Sequence, residues 1–106
     1  MARYLIEASY TREGMQGVMK EGGSGRRDAI GKMLADLGGT LESFYFAFGE
    51  TDAYVTVEVP DNVTAAAIGL AVAASGAAST KTVVLLTPEE IDAATKKSIA
   101  YRAPGT

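Results

Sequence analysis

Side chains alternate between residues 3 and 10: Tyr4, Ile6, Ala8 and Tyr10 share one parity, and Arg3, Leu5, Glu7 and Ser9 share the other. That two-residue period predicts a strand with one face for a core. Thr11 stands where a helix cap belongs, and Met15, Val18 and Met19 follow at helical spacing. The glycine-rich break Glu21-Gly-Gly-Ser-Gly25 interrupts that helix. Ser24 is placed to cap a second one, in which Ile30, Met33, Leu34 and Leu37 keep the i, i+3, i+4, i+7 pattern. Gly38-Gly39 ends it, because glycine takes the left-handed terminal conformation at little steric cost.

The stretch from Gly38 to Asp61 predicts a β-hairpin. With Gly49–Asp52, or only Glu50-Thr51, as the connection, Phe48 falls opposite Ala53. One face then holds Phe44, Phe46 and Phe48 with Ala53, Val55, Val57 and Val59. It is wholly apolar and is assigned to the core. The other face holds Ser43, Tyr45 and Ala47 beside Tyr54, Thr56 and Glu58. Pro60 ends the hairpin and Asp61 caps an alanine-rich helix from about Asn62 to Ser75, with Ile68 and Val72 four apart and Gly76 as its stop.

Residues 78–87 predict a fourth strand centred on Val83 to Leu86. Thr87-Pro-Glu-Glu90 is a strong helix start, with a threonine cap, proline at the first helical position and glutamate three residues after the cap. That helix is expected to reach about Ser98, leaving residues 98–106 as a frayed tail.

The order β-α-β-β-α-β plus a terminal helix specifies an α+β chain of the ferredoxin-like pattern, one domain over residues 1–106. Its four-stranded antiparallel sheet is expected to place the fourth strand beside the first and the second hairpin strand centrally. Helices cover one face, so the other is solvated or covered by a partner.

Composition narrows the chemistry. The chain of 106 residues is 47% apolar with a net charge of −3, which argues against a nucleic-acid footprint. It has no cysteine, hence no disulfide, thiolate ligand or cysteine nucleophile. It has no histidine either, which removes the commonest general base and metal ligand. The first ten residues lack the features of a signal peptide, and the run from Ala65 to Ala78 is too short and too weakly apolar to span a membrane. A cytoplasmic location without membrane association is expected.

With these residues laid out, the chain resembles the GYD-domain family. The resemblance covers Tyr4 to about Ala93 and rests on Ala-Ser-Tyr-Thr at 8–11, Gly22-Gly-Ser-Gly-Arg-Arg27, Gly38-Gly39 leading to Glu42-Ser-Phe-Tyr45, Pro60-Asp61, Ala73-Ala-Ser-Gly76 and Leu86-Thr-Pro-Glu-Glu90. The family's name-giving turn, a glycine followed closely by tyrosine and aspartate, corresponds to Gly49-Glu-Thr-Asp52, with Thr51 in the tyrosine's place. The resemblance implies a ferredoxin-like fold akin to the dimeric α+β barrel proteins and supplies no catalytic residues.

Two candidate sites follow. The outward sheet face gathers Arg3, Leu5, Glu7, Tyr45, Tyr54, Thr56 and Glu58 with Lys81, a mixture suited to burial by another subunit or to a ligand held between two sheets. Glu7, Tyr45, Tyr54, Thr56 and Glu58 are its ligand-binding candidates. The plainer reading is a dimer interface in which Arg3, Lys81 or water satisfies the glutamates. The second site is an anion cradle at Ser24, Gly25, Arg26 and Arg27, where a glycine-rich loop opening a helix presents free N–H groups. Its plainer reading is a linker with solvated arginines. Asp52 is assigned to local turn bonds, and no metal site or cofactor is indicated. The expected role is a homo-oligomeric module, dimer or higher, that binds a small molecule or a partner through its sheet. The alternative is a cofactor-independent oxygenase or isomerase using Glu7, Glu58 or a tyrosine as its acid or base, which rests on fold analogy alone.

Overall fold

The computed structural model describes residues 1–106 in the order β1 (Ala2–Tyr10), α1 (Arg12–Asp36), β2 (Thr40–Phe46), β3 (Ala53–Val59), α2 (Asn62–Ser75), β4 (Ala78–Leu85) and α3 (Pro88–Thr95). The strands form one antiparallel sheet in the order β2-β3-β1-β4. This is the α+β, ferredoxin-like arrangement expected from the sequence.

The core lies between the sheet and helices α1 and α2. Tyr4 and Ala8 of β1, Val55, Val57 and Val59 of β3, Leu34 of α1 and Ile68 of α2 are buried together. All three helix starts are capped as expected. Thr11 accepts from the Gly14 N–H, Asp61 accepts from the Thr64 N–H, and Thr87 with Glu90 forms a reciprocal capping box. At the end of α1, Gly38 has φ of 75°, its N–H donates to Ala35 O and the Gly39 N–H donates to Leu34 O. This pair of bonds is a Schellman closure, and it turns the chain directly into β2.

Three details differ from the sequence reading. The glycine-rich break is present but narrower than expected: only Gly22, with φ of 80° and ψ of 166°, leaves helical backbone, and α1 consists of two helical segments that meet there at a kink. Ser24 lies two residues past the break, inside the second segment, instead of at its cap. The hairpin register keeps the expected parity but slides by two residues, so that Phe46, not Phe48, lies opposite Ala53. Phe48 falls in the six-residue connection and is wholly exposed. The connection is longer because β1 holds it: the Asp52 N–H donates to Ala8 O at 2.8 Å, and the Ala47 N–H donates to Asp52 O at 2.8 Å. Finally, α3 ends at Thr95, short of Ser98.

Candidate functional site

Strand pairing fixes which outward side chains are neighbours. Successive outward rows across β2, β3, β1 and β4 are Thr40–Glu58–Arg3–Leu85, Ser43–Thr56–Leu5–Val83 and Tyr45–Tyr54–Glu7–Lys81. The five ligand-binding candidates of the sequence reading thus share one surface, with Glu58 in the first row, Thr56 in the middle and Glu7, Tyr45 and Tyr54 in the third.

A β-bulge shapes the first end. Leu41 pairs with Val57 and Ser43 with Thr56, so Glu42 is the extra residue. The bulge lets Leu41 and Phe44 both face the core while Glu42 reaches the outward face. There Arg3 donates from Nε to Glu42 Oε1 at 2.6 Å, from Nη2 to Glu42 Oε2 at 3.0 Å, and from Nη2 to Glu58 Oε1 at 2.9 Å. The two-pronged bond with Glu42 raises the Arg3 pKa above its ordinary value, and the same bond holds the Glu42 carboxyl below its own. This end is saturated: one cation is shared by two carboxylates. Glu42 was not among the site candidates. Its signal lies in the sequence, since Leu41-Glu-Ser-Phe44 breaks strict alternation with two polar residues between two apolar ones.

In the middle row the Ser43 and Thr56 hydroxyls bond to each other. The third row is different. Tyr45 is 71% exposed and Tyr54 40%, and neither phenol joins a side-chain hydrogen bond, nor does the Lys81 ammonium. Glu7 receives only a long bond, 3.4 Å, from the Thr51 hydroxyl. Two phenols, an ammonium and a carboxylate thus line up with unspent hydrogen-bonding capacity.

The loop Ala47–Asp52 closes this end. Its Asp52 carboxylate accepts from the Tyr10 N–H at 2.9 Å, and Glu50 O accepts from the Ser9 hydroxyl at 2.6 Å. Asp52 therefore clamps the loop to β1 instead of making the local turn bonds assigned to it. Gly49, with φ of 106°, supplies the left-handed corner that the loop needs.

The chain matches the family model of the GYD domain over residues 4–95. It belongs to the GYD-domain family. No curated protein and no solved structure matches it. In this member of the GYD family the turn Gly49–Asp52 lies at the third row, with Thr51 beside Glu7. Thr51 therefore borders the least saturated part of the sheet face.

The second candidate disperses. Ser24, Gly25, Arg26 and Arg27 occupy consecutive helical positions, not a loop. Arg26 faces Glu21 at 3.6 Å and Arg27 donates to Asp28 at 3.3 Å, so the two guanidinium groups engage different carboxylates. Arg26 also reaches Tyr10 beside a cleft between α1, α2 and the sheet, where burial raises the Tyr10 pKa and Arg26 opposes the rise. That cleft is lined by Ile6, Ile30, Met33, Phe44 and Val72 and measures about 60 Å³. Ligand pockets for drug-sized molecules run to roughly 300–1,000 Å³, so this is a packing gap. No group of three or more acidic side chains is gathered to hold a metal ion, and no helix is long and apolar enough to cross a membrane.

Proposed function

We propose that this GYD-domain protein is a homo-oligomeric binding module whose outward sheet faces, apposed across two copies, hold a small molecule at the row Tyr45–Tyr54–Glu7–Lys81. The observation that carries this reading is the contrast in saturation along one face. Arg3, Glu42 and Glu58 are committed to one another, whereas the third row keeps two phenols, a carboxylate and an ammonium available. A ligand with a planar apolar body and polar substituents fits such a row, because aromatic faces cover the body while donors and acceptors fix its orientation. The catalytic alternative narrows to the same place: with Glu58 held by Arg3, Glu7 is the carboxylate left to act as a base.

Native mass spectrometry of the protein purified from its source tests the reading. The expected spectrum shows a multimer retaining a small-molecule adduct. In the Glu7→Gln, Tyr45→Phe double variant the adduct is lost and the subunit count stays the same. A multimer free of any adduct, or an adduct that survives in the double variant, sinks the proposal.

A further inference from the structure

The segment after β4 is out of keeping with the rest of the molecule. Every residue from Pro88 to Thr106 is exposed, including Ile91, Ile99 and Tyr101. Yet α3 has the most complete start signal in the chain, a capping box with proline in the first turn. A helix of eight residues is marginal in water by itself, since isolated helices need about 12–15 residues, and it holds when an apolar side is covered. Nothing in its own chain covers it.

The exposed area indicates what does. The chain exposes 7374 Å², whereas a folded monomer of its 11.0 kDa mass exposes about 5,600 Å². The excess, roughly 1,750 Å², is about twice the 800 Å² or so that each partner buries in a stable standard-size interface. The chain is also drawn out, with a radius of gyration of 16.9 Å against about 13 Å for a compact domain of this length. A surplus of this size fits an extensive contact with another copy better than it fits a small ligand.

The origin of the segment and its charge indicate where it goes. Leu85 pairs with Arg3 in the first outward row, so the segment leaves the sheet at that end, directly after an outward position. Its charges balance overall but are segregated: Glu89, Glu90 and Asp92 lie in α3, and from Lys96 onward it carries Lys96, Lys97 and Arg102 and no acidic residue. The outward face presents Glu7, Glu42 and Glu58 against Arg3 and Lys81, a small acidic balance. Its β4 side offers Leu5 and the exposed Val83 as an apolar seat.

We infer that Leu86–Thr106 is an exchange arm that docks along the β4 side of the outward sheet face of a second copy of this chain. Ile91, Ile99 and Tyr101 lie over Leu5 and Val83 of that copy, and the basic tail meets its acidic face. Two copies exchange arms reciprocally, so each arm walls one side of the space between the sheets. The inference needs the second copy proposed above but not the ligand.

Because the chain has no cysteine, single introduced thiols report the contact cleanly. Val83→Cys and Ile99→Cys are made in separate full-length chains, one of them isotopically labelled, mixed and treated with a short bismaleimide. Mixed-label cross-linked dimers are expected. Absence of inter-chain links overturns the arm, as does a link formed within one chain by a monomeric Val83→Cys, Ile99→Cys double variant. Sedimentation equilibrium of Ile91→Asp with Ile99→Asp provides the second readout. Both positions are exposed, so the body stays folded while self-association weakens on the order of a hundredfold. A monomeric wild type, or a variant that associates as tightly as wild type, overturns the arm. In the latter case the sheet-face reading stands. Dissociation of the variant together with a wild-type dimer free of any adduct supports the arm and overturns the ligand.

Discussion

β3 and β4 flank β1 on either side, pair with it in the same antiparallel sense and are both apolar at their ends, yet they are finished to very different degrees. In β3 the inward residues Ala53, Val55, Val57 and Val59 are all buried, and burial alternates cleanly with the outward set. In β4 only Ala78 is buried; inward Thr82 is exposed, inward Val84 is 56% exposed, and outward Val83 is exposed as well. β1 supplies a ladder to each, but β3 also pairs with β2 on its other side, whereas β4 is the edge of the sheet. The cover differs as well. Leu34 of α1 and Ile68 of α2 close over β3, while α2 meets β4 with alanine and glycine and leaves the far half of that edge strand open. A strand's stability contribution therefore depends on its neighbours across the layer more than on its own propensity. The open half of β4 is also where the C-terminal segment leaves the body.

Replacing one valine in each strand turns this into a measurement. Val57 is 1% exposed, and Val57→Ala removes two methyl groups from the middle of the core. The expected loss is about 2–3 kcal/mol of unfolding free energy, combining transfer and cavity costs. Val84→Ala removes the same atoms from a site already half in water and is expected to cost about 0.5 kcal/mol. Urea denaturation at a protein concentration that keeps the chain dissociated reads both. Equal losses would mean that β4 is covered as fully as β3 within one chain.

Close backbone approach provides a second, smaller test at the entry to β4. Thr11 ties the start of α1 to the loop before β4, with its N–H donating to Ala77 O at 2.9 Å and its hydroxyl donating to Gly76 O at 2.8 Å. A Cβ on Gly14 would lie 1.9 Å from Ala77 O, whereas one on Gly17 meets nothing within 4 Å. Helix propensity alone favours alanine at both positions by about 1 kcal/mol. Gly17→Ala is expected to gain about 0.5 kcal/mol, and Gly14→Ala to lose about 1–2 kcal/mol because the carbonyl cannot retreat without giving up the Thr11 bonds. Thermal unfolding of the two single variants decides, and a stabilising Gly14→Ala would show that the tether is dispensable.

The same contrast shows what the sequence could disclose. Periodicity and caps carry local information, so strands, helices, sheet order and the alternation of Tyr4, Ile6 and Ala8 with Arg3, Leu5 and Glu7 were all legible. The slide of Phe46 onto Ala53 was not, because it depends on Asp52 bonding to Tyr10 and Ala8, residues more than forty positions away. The break in α1 was legible from its glycine cluster, but its confinement to Gly22 was not, because any of the clustered glycines can take a positive φ. Of the outward face, the members were legible and the partition was not. Nothing in the order of residues says that Arg3 would be consumed by Glu42 and Glu58 while Glu7 keeps only Thr51. That partition follows from one bulge and from where the hairpin loop is clamped.

The smallest effect is expected at the Arg3–Glu42–Glu58 end, and pH separates it from the rest. Glu42 is held below its ordinary pKa, chiefly by the hydrogen bond from Arg3. A carboxylate of lowered folded-state pKa contributes stability that is fully present above its unfolded value, near pH 4, and is lost as the pH falls through the folded value. Asp61 and Glu90 are lowered in the same direction by their capping bonds with Thr64 and Thr87, so the protein as a whole loses stability toward acid. Glu42→Gln leaves those two in place and leaves Glu58 to hold Arg3. The informative quantity is therefore the difference between wild type and variant. It is expected to be small but positive at pH 7 and to shrink as the pH falls below the unfolded value and through the lowered folded value of Glu42. It should also weaken with added salt, because the pair faces solvent. Urea midpoints of both proteins from pH 7 to pH 3 measure it. A difference that stays constant across that range would mean that Glu42 stabilises the bulge by shape, and that the ion pair at this end of the face is incidental.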